Sequence, residues 1–247
     1  MFDLPSFPVA ATSGMRVPWN EVADLRSRPG SFQGQDLAGL VRHSDEQTVV
    51  ALAAMKNSIE AAGWSERNFA NWGVVASPRS FGRVKFDTAI TRFRKVHAAG
   101  VHPLSVAHLS LHAMASTLSI AFGMHGPSLG VSGQTGHLGE ILLTGIGLIE
   151  REDIDGLWTV ITEPDPESSL DEEGHFVRDA TVQAAVLGMC REHGSMELTL
   201  SPGKFVESSV SQLIDWLASS TSASWRVGVA GVGVVEVCRR EALKQAS

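Results

Sequence analysis

The chain has 247 residues and a formal net charge of -7 at pH 7, with 43% hydrophobic and 19% charged residues. This length suits one large domain or two small ones, and the core can be large enough to need neither disulfides nor a structural metal. Sequence-independent binding to nucleic acid requires a basic face, and none stands out in the sequence. The two cysteines, Cys190 and Cys238, form no metal-ligand spacing and no disulfide framework, which indicates a reducing compartment.

The sequence also predicts where the protein resides. Its first residues lack the basic and apolar regions of a secretory signal, and no apolar run of about 18 residues is free of polar breaks. We therefore expect a cytoplasmic, soluble protein with no membrane span. Neither a Walker motif nor a zinc-binding H-E-x-x-H motif occurs, and we expect no cofactor and no metal.

The first 43 residues differ in composition from the rest of the chain. Residues 1–43 are rich in proline, glycine and arginine and show weak periodicity. They are predicted to be an irregular N-terminal arm that packs on the surface or on a partner, with a disordered tail as the alternative. Residues 44–247 are expected to form a single domain.

Two segments in the first half carry readable helix and charge signals. Ser44 can cap a helix, with Gln47 at the capping-box position, and apolar residues follow at helical spacing until Gly63 ends the helix. Residues 83–96 carry five basic side chains. Such a run is usually a solvated face, and a docking patch for an acidic partner is the alternative.

Two further segments predict buried helices. Residues 104–122 are nearly all apolar or small, which predicts a central helix without a polar face. His108 and His112 would share one face of it, and packing histidines are favoured over a metal pair because no third ligand is evident. Residues 135–149 predict a second buried helix, whose internal glycines require a very close neighbour. These glycines are Gly139, Gly145 and Gly147.

Short apolar runs between these helices predict strands. They lie at residues 73–77, 128–132 and 157–162. Strands that alternate with helices indicate an α/β layered fold with at least partly parallel strands. Residues 163–173 contain six acids and are predicted to be an exposed loop.

The C-terminal part is predicted in less detail. Residues 180–189 fit either a strand or a helix, and residues 196–200 alternate as a strand does. Val206 to Leu217 predicts an amphipathic helix, and residues 225–238 predict terminal strands or a hairpin.

The turn between the strand at 128–132 and the second buried helix is the best candidate for chemistry. A strand-to-helix turn presents side chains at a helix N-terminus, where backbone N–H groups favour negative charge. A cysteine at this turn would be a good acyl acceptor, but Gln134 and Thr135 occur instead. Thr135 or Ser132 could act as a nucleophile only with a base, and His137 is the local candidate.

Several motifs together carry a resemblance to a known family. They are Pro103-Leu104-Ser105, the run from Leu109 to Ala113, the run from Leu118 to Gly123, and Gly126-Pro127-Ser128, followed by the strand, the turn and the glycine-rich helix. In this order they resemble the N-terminal half of β-ketoacyl synthases. More narrowly, they are similar to the short ketosynthase-like proteins of polyketide and aryl-polyene clusters, which are related to chain length factors.

The resemblance implies a thiolase-like, layered α-β-α fold of the α/β class, truncated to about one ketosynthase half. It implies dimerisation through the strand before the turn. The candidate interface residues are Ser128, Leu129, Gly130, Val131 and Ser132. Active synthases carry a cysteine at the turn and two histidines in a second half. Here Gln134 stands at the cysteine position, or Thr135 after a one-residue shift, and a glutamine there is typical of chain length factors.

These observations favour a non-catalytic, chain-length-factor-like subunit, a pseudoenzyme of a fatty-acid, polyketide or aryl-polyene pathway. It would stabilise or shape an active ketosynthase partner, or pair with itself as a dimer, with acyl carrier protein as a further partner. One alternative is an acyl transferase or hydrolase that uses Thr135 or Ser132 with His137. Another is an acyl-thioester-binding module, with Gln134, Thr135, Gly136 and His137 as the binding candidates.

Overall fold

The computed structural model describes residues 6–101, 103, 105–131, 136–151, 153–167, 169, 179–192, 194–219 and 222–240. The strands are β1 Ser6–Pro18, β2 Ser31–Phe32, β3 Gln35–Asp36, β4 Trp72–Pro78, β5 Ser128–Gly130, β6 Gly156–Asp165, β7 Thr181–Cys190, β8 Met196–Ser201, β9 Ser224–Val229 and β10 Gly233–Arg239. The helices are α1 Val22–Ser27, α2 Ala38–Val41, α3 Glu46–Ala61, α4 Arg83–Val96, α5 Ser105–His108, α6 His112–Ala121, α7 His137–Arg151 and α8 Val210–Ala218.

Eight of the strands form one mixed sheet in the order β5-β4-β6-β7-β1-β8-β10-β9, and β2 and β3 form a separate hairpin. Strand β4 pairs in parallel with both β5 and β6. From β6 onwards every pairing is antiparallel. The predicted α/β architecture with partly parallel strands is therefore confirmed.

Helices cover both faces of the sheet, because alternate residues of its strands point to opposite sides. On one side, Val74 and Val160 pack in a core with α3 and α6. On the other side, Val75 and Ile161 pack in a second core with α7 and α8. The layered α-β-α arrangement that the resemblance implied is confirmed.

Strand β1 corrects the prediction of an irregular arm. Residues 6–18 pair with β7 and β8 in the interior of the sheet, and Val9 and Val17 are buried. Pro8 and Gly14 disfavour a strand by intrinsic propensity, which hid the alternation in the sequence. Pairing on both sides overrides that propensity.

Helix α3 begins one residue later than the capping pattern suggested. Asp45, not Ser44, is the N-cap, and its carboxylate accepts a hydrogen bond of 2.9 Å from the Gln47 N–H. Ser44 instead donates to the Leu40 carbonyl. Gly63 follows the helix with a positive φ of 70°, as predicted.

The segment 104–122 is not one buried helix. It divides into α5 and α6, and Ile120 on α6 is 55% exposed. His108 and His112 therefore lie on different helices and share no face. The His108 ring lies beside His43, with 6.1 Å between the ring centroids.

The glycines of α7 mark where this helix approaches its neighbours. A Cβ atom at Gly139 would lie 2.5 Å from the Gly228 carbonyl oxygen of β9, and one at Gly145 would lie 2.8 Å from Thr159 Cγ2 of β6. A Cβ atom at Gly147 would meet nothing within 4 Å. The predicted close approach is confirmed at the first two positions and wrong at Gly147.

The predictions for the C-terminal part are confirmed for the strands and wrong for the start of the helix. Residues 180–189, ambiguous in the sequence, lie in β7, and the predicted strand at 196–200 and the terminal hairpin are confirmed as β8, β9 and β10. Helix α8 begins at Val210, so Val206 lies outside it. Ser209 and Gln212 form its capping box.

Candidate functional site

A cavity of about 530 Å³ opens where the carboxyl ends of β4 and β6 meet the N-terminus of α7. In layered α/β folds, ligands bind at the carboxyl ends of parallel strands. The wall combines apolar and polar groups. It is lined by Arg79, Gly136, His137, Leu138, Glu163, Phe205, Val206, Glu207, Ser208, Ser209, Gln212, Val227 and Gly228.

Arg79 and Glu163 form the floor of this cavity because of the register between β4 and β6. Pro78 lies opposite Thr162 in the parallel pairing, and the Arg79 N–H donates to the Thr162 carbonyl at 2.8 Å. Strand alternation then places both side chains on the face that carries α7. Arg79 Nη1 lies 3.6 Å from Glu163 Oε2.

Glu163 is a buried carboxyl group, only 7% exposed. Burial raises its pKa above the usual range, because desolvation penalises the charged form. The Arg79 guanidinium and the Val210 backbone N–H oppose this shift. Among the lining residues, Glu163 thus joins a raised pKa to a position in a cleft, a combination that occurs at functional sites.

A second carboxylate, that of Glu167, forms an ion pair with Arg79. It lies 3.4 Å from Arg79 Nη2 and forms an ion pair with Arg83. The Ser80 hydroxyl donates to it at 2.5 Å, and that bond, with the two arginines, lowers the pKa of Glu167. Arg79 therefore links Glu163, which lines the cavity, to Glu167, which does not.

The N-terminus of α7 forms the side wall. Gly136 has a positive φ of 92°, which favours glycine, and His137 opens the helix with 4% of its surface exposed. Both line the cavity, and their role in binding stays a prediction. Ser132, Gln134 and Thr135 lie outside the described residues.

Residues 205–209 cover the cavity from the side of α8. The Gly228 N–H donates to the Val206 carbonyl at 2.6 Å, which ties this segment to β9. Phe205 is 58% exposed at the rim. Residues 205–209 are therefore held by β9, the strand that also packs against Gly139 of α7.

The candidate interface strand lies at one end of the sheet. Within the described part of the chain, β5 has a strand neighbour only on its β4 side. Leu129 is 41% exposed, and Val131, which follows β5, donates to the Ala76 carbonyl at 2.8 Å. Leu111, whose carbonyl lies beside Gly130, is 42% exposed. Apolar side chains are therefore exposed beside this end of the sheet.

Two further properties concern the described residues only. They contain no group of three His, Cys, Asp or Glu side chains placed to hold a metal ion. None of their helices has the length and apolar character needed to cross a membrane.

Sequence reasoning missed the two residues at the floor. The sequence predicts that Glu163 lies in the exposed acidic loop 163–173, yet it lies in β6, which continues to Asp165. The alternation of Leu157 and Ile161 on one face, extended by two residues, would have placed Glu163 on that face. Arg79 lies two residues after the strand predicted at 73–77, and no sequence motif marks it as a site residue.

Comparison with known proteins identifies the fold. No protein-family profile and no curated protein sequence matches the chain. A solved structure of a ketosynthase (ApeO) in complex with its chain length factor (ApeC) from Xenorhabdus doucetiae matches 95% of this chain and 100% of the compared chain, with 12% identity and a TM-score of 0.59. A type II polyketide synthase acyl-carrier protein complex with its ketosynthase, AntDE:AntF, matches 81% of this chain and 70% of that chain, with 11% identity and a TM-score of 0.57.

A β-ketoacyl synthase from Burkholderia phymatum STM815 also matches, over 76% of this chain and 59% of that chain, with 15% identity and a TM-score of 0.54. The chain therefore shares the fold of these ketosynthase structures. It spans the whole of one compared chain and about three fifths of this synthase.

Proposed function

We propose that the chain is a non-catalytic, chain-length-factor-like subunit that pairs with an active ketosynthase of a polyketide, fatty-acid or aryl-polyene pathway. The observation that carries the proposal is the match over 100% of a chain from a ketosynthase–chain length factor complex.

The edge strand β5 supports the place of pairing. An uncovered sheet edge offers backbone N–H and C=O groups to a strand of another chain. Leu129 and Leu111 add apolar surface beside that edge. A partner strand at β5 would join two sheets into one, and the α7 helices that follow would lie near each other.

The residues of the cavity support a silent role. A glutamine side chain cannot act as a nucleophile, and Gln134 stands where the resemblance places the cysteine of active synthases. Among the described lining residues, the cavity presents one imidazole, that of His137, beside the Arg79–Glu163 pair. This chain would then contribute stability and the shape of an acyl tunnel, while the partner performs condensation.

Co-expression with a ketosynthase from the same organism tests the proposal. The wild-type chain should copurify with an affinity-tagged ketosynthase, and Leu129→Lys should reduce the recovered amount about tenfold, since a buried unpaired charge costs more than 1 kcal/mol. Val232→Lys is the matched control, because Val232 is 52% exposed in the turn after β9, at the opposite end of the sheet. Equal recovery of all three proteins would contradict pairing at β5.

The cavity favours one second candidate function, an acyl-thioester-binding module. Gly136 and His137 place the α7 N-terminus at a cavity of about 530 Å³ that is lined by both apolar and polar residues. Calorimetric titration with octanoyl-pantetheine tests it. Binding that disappears in Ser208→Trp, which would fill the cavity, supports this function, and equal heats for both proteins contradict it.

A further inference from the structure

A second cleft lies on the face of the sheet that carries α3, where β1, α1 and α3 meet. Two cavities, of about 440 Å³ and about 190 Å³, share Met15, Leu25 and Arg28 as lining residues. They are therefore two arms of one cleft, with Arg28 at the junction. The cavity at the N-terminus of α7 lies on the opposite face of the sheet, so this cleft is a separate site.

The smaller arm is apolar at its base. Val41, Val49 and Leu52 line it and are almost completely buried. Met15 and Leu25 are partly buried, line the same arm and pack against the core that contains α3. In another protein, an apolar cavity of about 150 Å³ binds benzene. An arm of about 190 Å³ therefore has room for a small aliphatic or aromatic group.

The larger arm carries charges of both signs. Glu21, Asp24 and Arg28 line it and are exposed. Their side chains form no ion pair or hydrogen bond with one another or with any other residue that the structure describes. Arg16, the fourth charged residue of this arm, differs from them because it pairs with Asp215. A few polar groups that face one cleft are what fixes the orientation of a small ligand.

The backbone explains why Arg28 and Asp24 stay apart. An acid and a base four positions apart commonly pair on the surface of a helix. Arg28, however, follows the last turn of α1 with φ -133° and ψ 55°, which lies outside the helical region. Its side chain therefore leaves the helix face that carries Asp24. The fold holds a cation and a carboxylate at one cleft without letting them neutralise each other.

Lys56 adds a second cation near the junction of the arms. Lys56 and Arg28 both line the smaller arm, and a Cβ atom at Gly30 would lie 2.7 Å from Lys56 Nζ. The ammonium group thus lies against the backbone that follows Arg28. The carboxylate of Glu60 is 3.9 Å away at the i+4 position, and such a pair contributes little. An anionic group bound at the junction would therefore meet two cations.

We propose that this cleft binds an α-amino acid with an apolar side chain. The carboxylate of the ligand would pair with Arg28 and Lys56, because guanidinium and ammonium groups form strong charge-assisted hydrogen bonds to carboxylates. The ammonium group of the ligand would pair with Glu21 or Asp24 in the larger arm. Its apolar side chain would fill the smaller arm, where burial removes that side chain from water.

The charges of the cleft favour this ligand over one that carries a single charge. An aliphatic carboxylate of the same size would leave Glu21 and Asp24 facing a negative charge. An alkylamine would leave Arg28 and Lys56 facing a positive charge. An α-amino acid carries both signs beside its side chain, so each of its three parts meets a surface of matching chemistry.

Calorimetric titration with phenylalanine and two of its analogues tests the proposal. Hydrocinnamate lacks the ammonium group and phenethylamine lacks the carboxylate, while both keep the ring. The full-length protein at neutral pH should bind phenylalanine at least about tenfold more tightly than either analogue. The titration contains no ketosynthase, so its result is independent of the pairing proposed at β5.

Substitutions separate the three contacts. Arg28→Gln should remove most of the advantage of phenylalanine over phenethylamine, and Glu21→Gln with Asp24→Asn should remove its advantage over hydrocinnamate. Ala53→Trp, which places an indole in the smaller arm, should abolish binding. Arg226→Gln is the control, because Arg226 is about half exposed on β9 and lines neither arm. Circular dichroism checks the fold of each variant.

Three results would overturn the proposal. If hydrocinnamate binds as tightly as phenylalanine, the acidic residues do not recognise an ammonium group. If Arg28→Gln, a change at an exposed position, leaves the affinity for phenylalanine unchanged, the ligand binds elsewhere. If the folded wild-type protein shows no binding of phenylalanine at millimolar concentrations, the cleft is not a site for this class of ligand.

Discussion

Arg79 Nη1 lies 3.6 Å from Glu163 Oε2 at the floor of the cavity, where β4 and β6 end side by side. Glu163 is nearly buried and Arg79 is partly exposed. The arrangement places one charge in a poorly solvated site and keeps its counter-charge at the opening. The cost of that burial is visible in the raised pKa of Glu163.

We expect Arg79→Ala to lower the free energy of unfolding at pH 7 by about 1–2 kcal/mol, because it leaves the Glu163 carboxylate buried without its cation. The double variant Arg79→Ala with Glu163→Gln should recover part of that loss, since the unpaired charge is gone. Urea denaturation of the wild type, Arg79→Ala, Glu163→Gln and the double variant measures the coupling. Additive losses would show that the two groups do not interact.

Arg226→Ala is the matched control for this cycle. Arg226 is about half exposed and lies 3.9 Å from Glu236 across β9 and β10. An exposed pair of this kind contributes less than about 1 kcal/mol, so its removal should change stability much less than the removal of Arg79.

Asp45 provides a pH-dependent prediction. Burial, with a smaller contribution from Glu46, raises its pKa to about 6, although the Gln47 N–H, Lys85 and Arg26 favour the charged form. Because the folded pKa is higher than the unfolded one, this group stabilises the fold fully only below the unfolded value of 3.8. The contribution is lost as the pH rises through about 6.

Asp45→Asn should therefore raise the free energy of unfolding at pH 7 by about 1–3 kcal/mol, because asparagine also caps helices and carries no charge. The gain should disappear below about pH 4. Asp45→Ala, which removes the cap, should recover less of the gain, by about 1 kcal/mol. Thermal unfolding over this pH range measures all three proteins, and a gain that does not change with pH would contradict the prediction.

Two glycines of α7 form a matched pair. Gly139→Ala should destabilise the protein by about 1–3 kcal/mol, because its Cβ would lie 2.5 Å from the Gly228 carbonyl oxygen. Gly147→Ala should stabilise it by about 0.5–1 kcal/mol, because that Cβ meets open space and alanine favours the helix. Urea denaturation compares the two. Changes of the same sign would contradict the packing of α7 against β9.

Gln134→Cys tests whether the missing nucleophile alone explains the expected lack of condensation. We expect no condensing activity from this variant by itself, because the described residues supply the cavity with a single imidazole. A radiolabelled condensation assay with acyl and malonyl thioesters measures it, and product from the variant alone would contradict the account.

The alternative role as a hydrolase or acyl transferase has its own measurement. We expect the wild-type protein to hydrolyse acyl thioesters no faster than buffer does. Hydrolysis by the wild type that His137→Ala abolishes, with the fold retained, would instead favour Thr135 or Ser132 acting with His137.

The sequence predicted the elements that rest on clear local signals. The strands at β4 and β6 are continuous apolar runs, as buried parallel strands require, and α7 repeats Leu138, Leu142 and Ile149 at helical spacing. Each of these segments forms its element almost regardless of distant partners. Together, β4, β6 and α7 form part of the layered α-β-α arrangement that the resemblance implied.

The elements that depend on distant pairing were not predictable in the same way. Strand β1 contains Pro8 and Gly14, and only its neighbours β7 and β8 make it a strand. The floor of the site has the same origin, because Arg79 and Glu163 are 84 positions apart and meet only through the register of β4 and β6. Local patterns carry no information about such a register.

The mass of the native complex tests the central claim most directly. The 26.4 kDa chain would be co-expressed with a ketosynthase from the same organism, and light scattering would weigh the species that leaves a sizing column. The account predicts one peak whose mass equals one copy of each protein. Separate peaks, with this chain alone as a monomer or a homodimer, would contradict a chain-length-factor-like subunit.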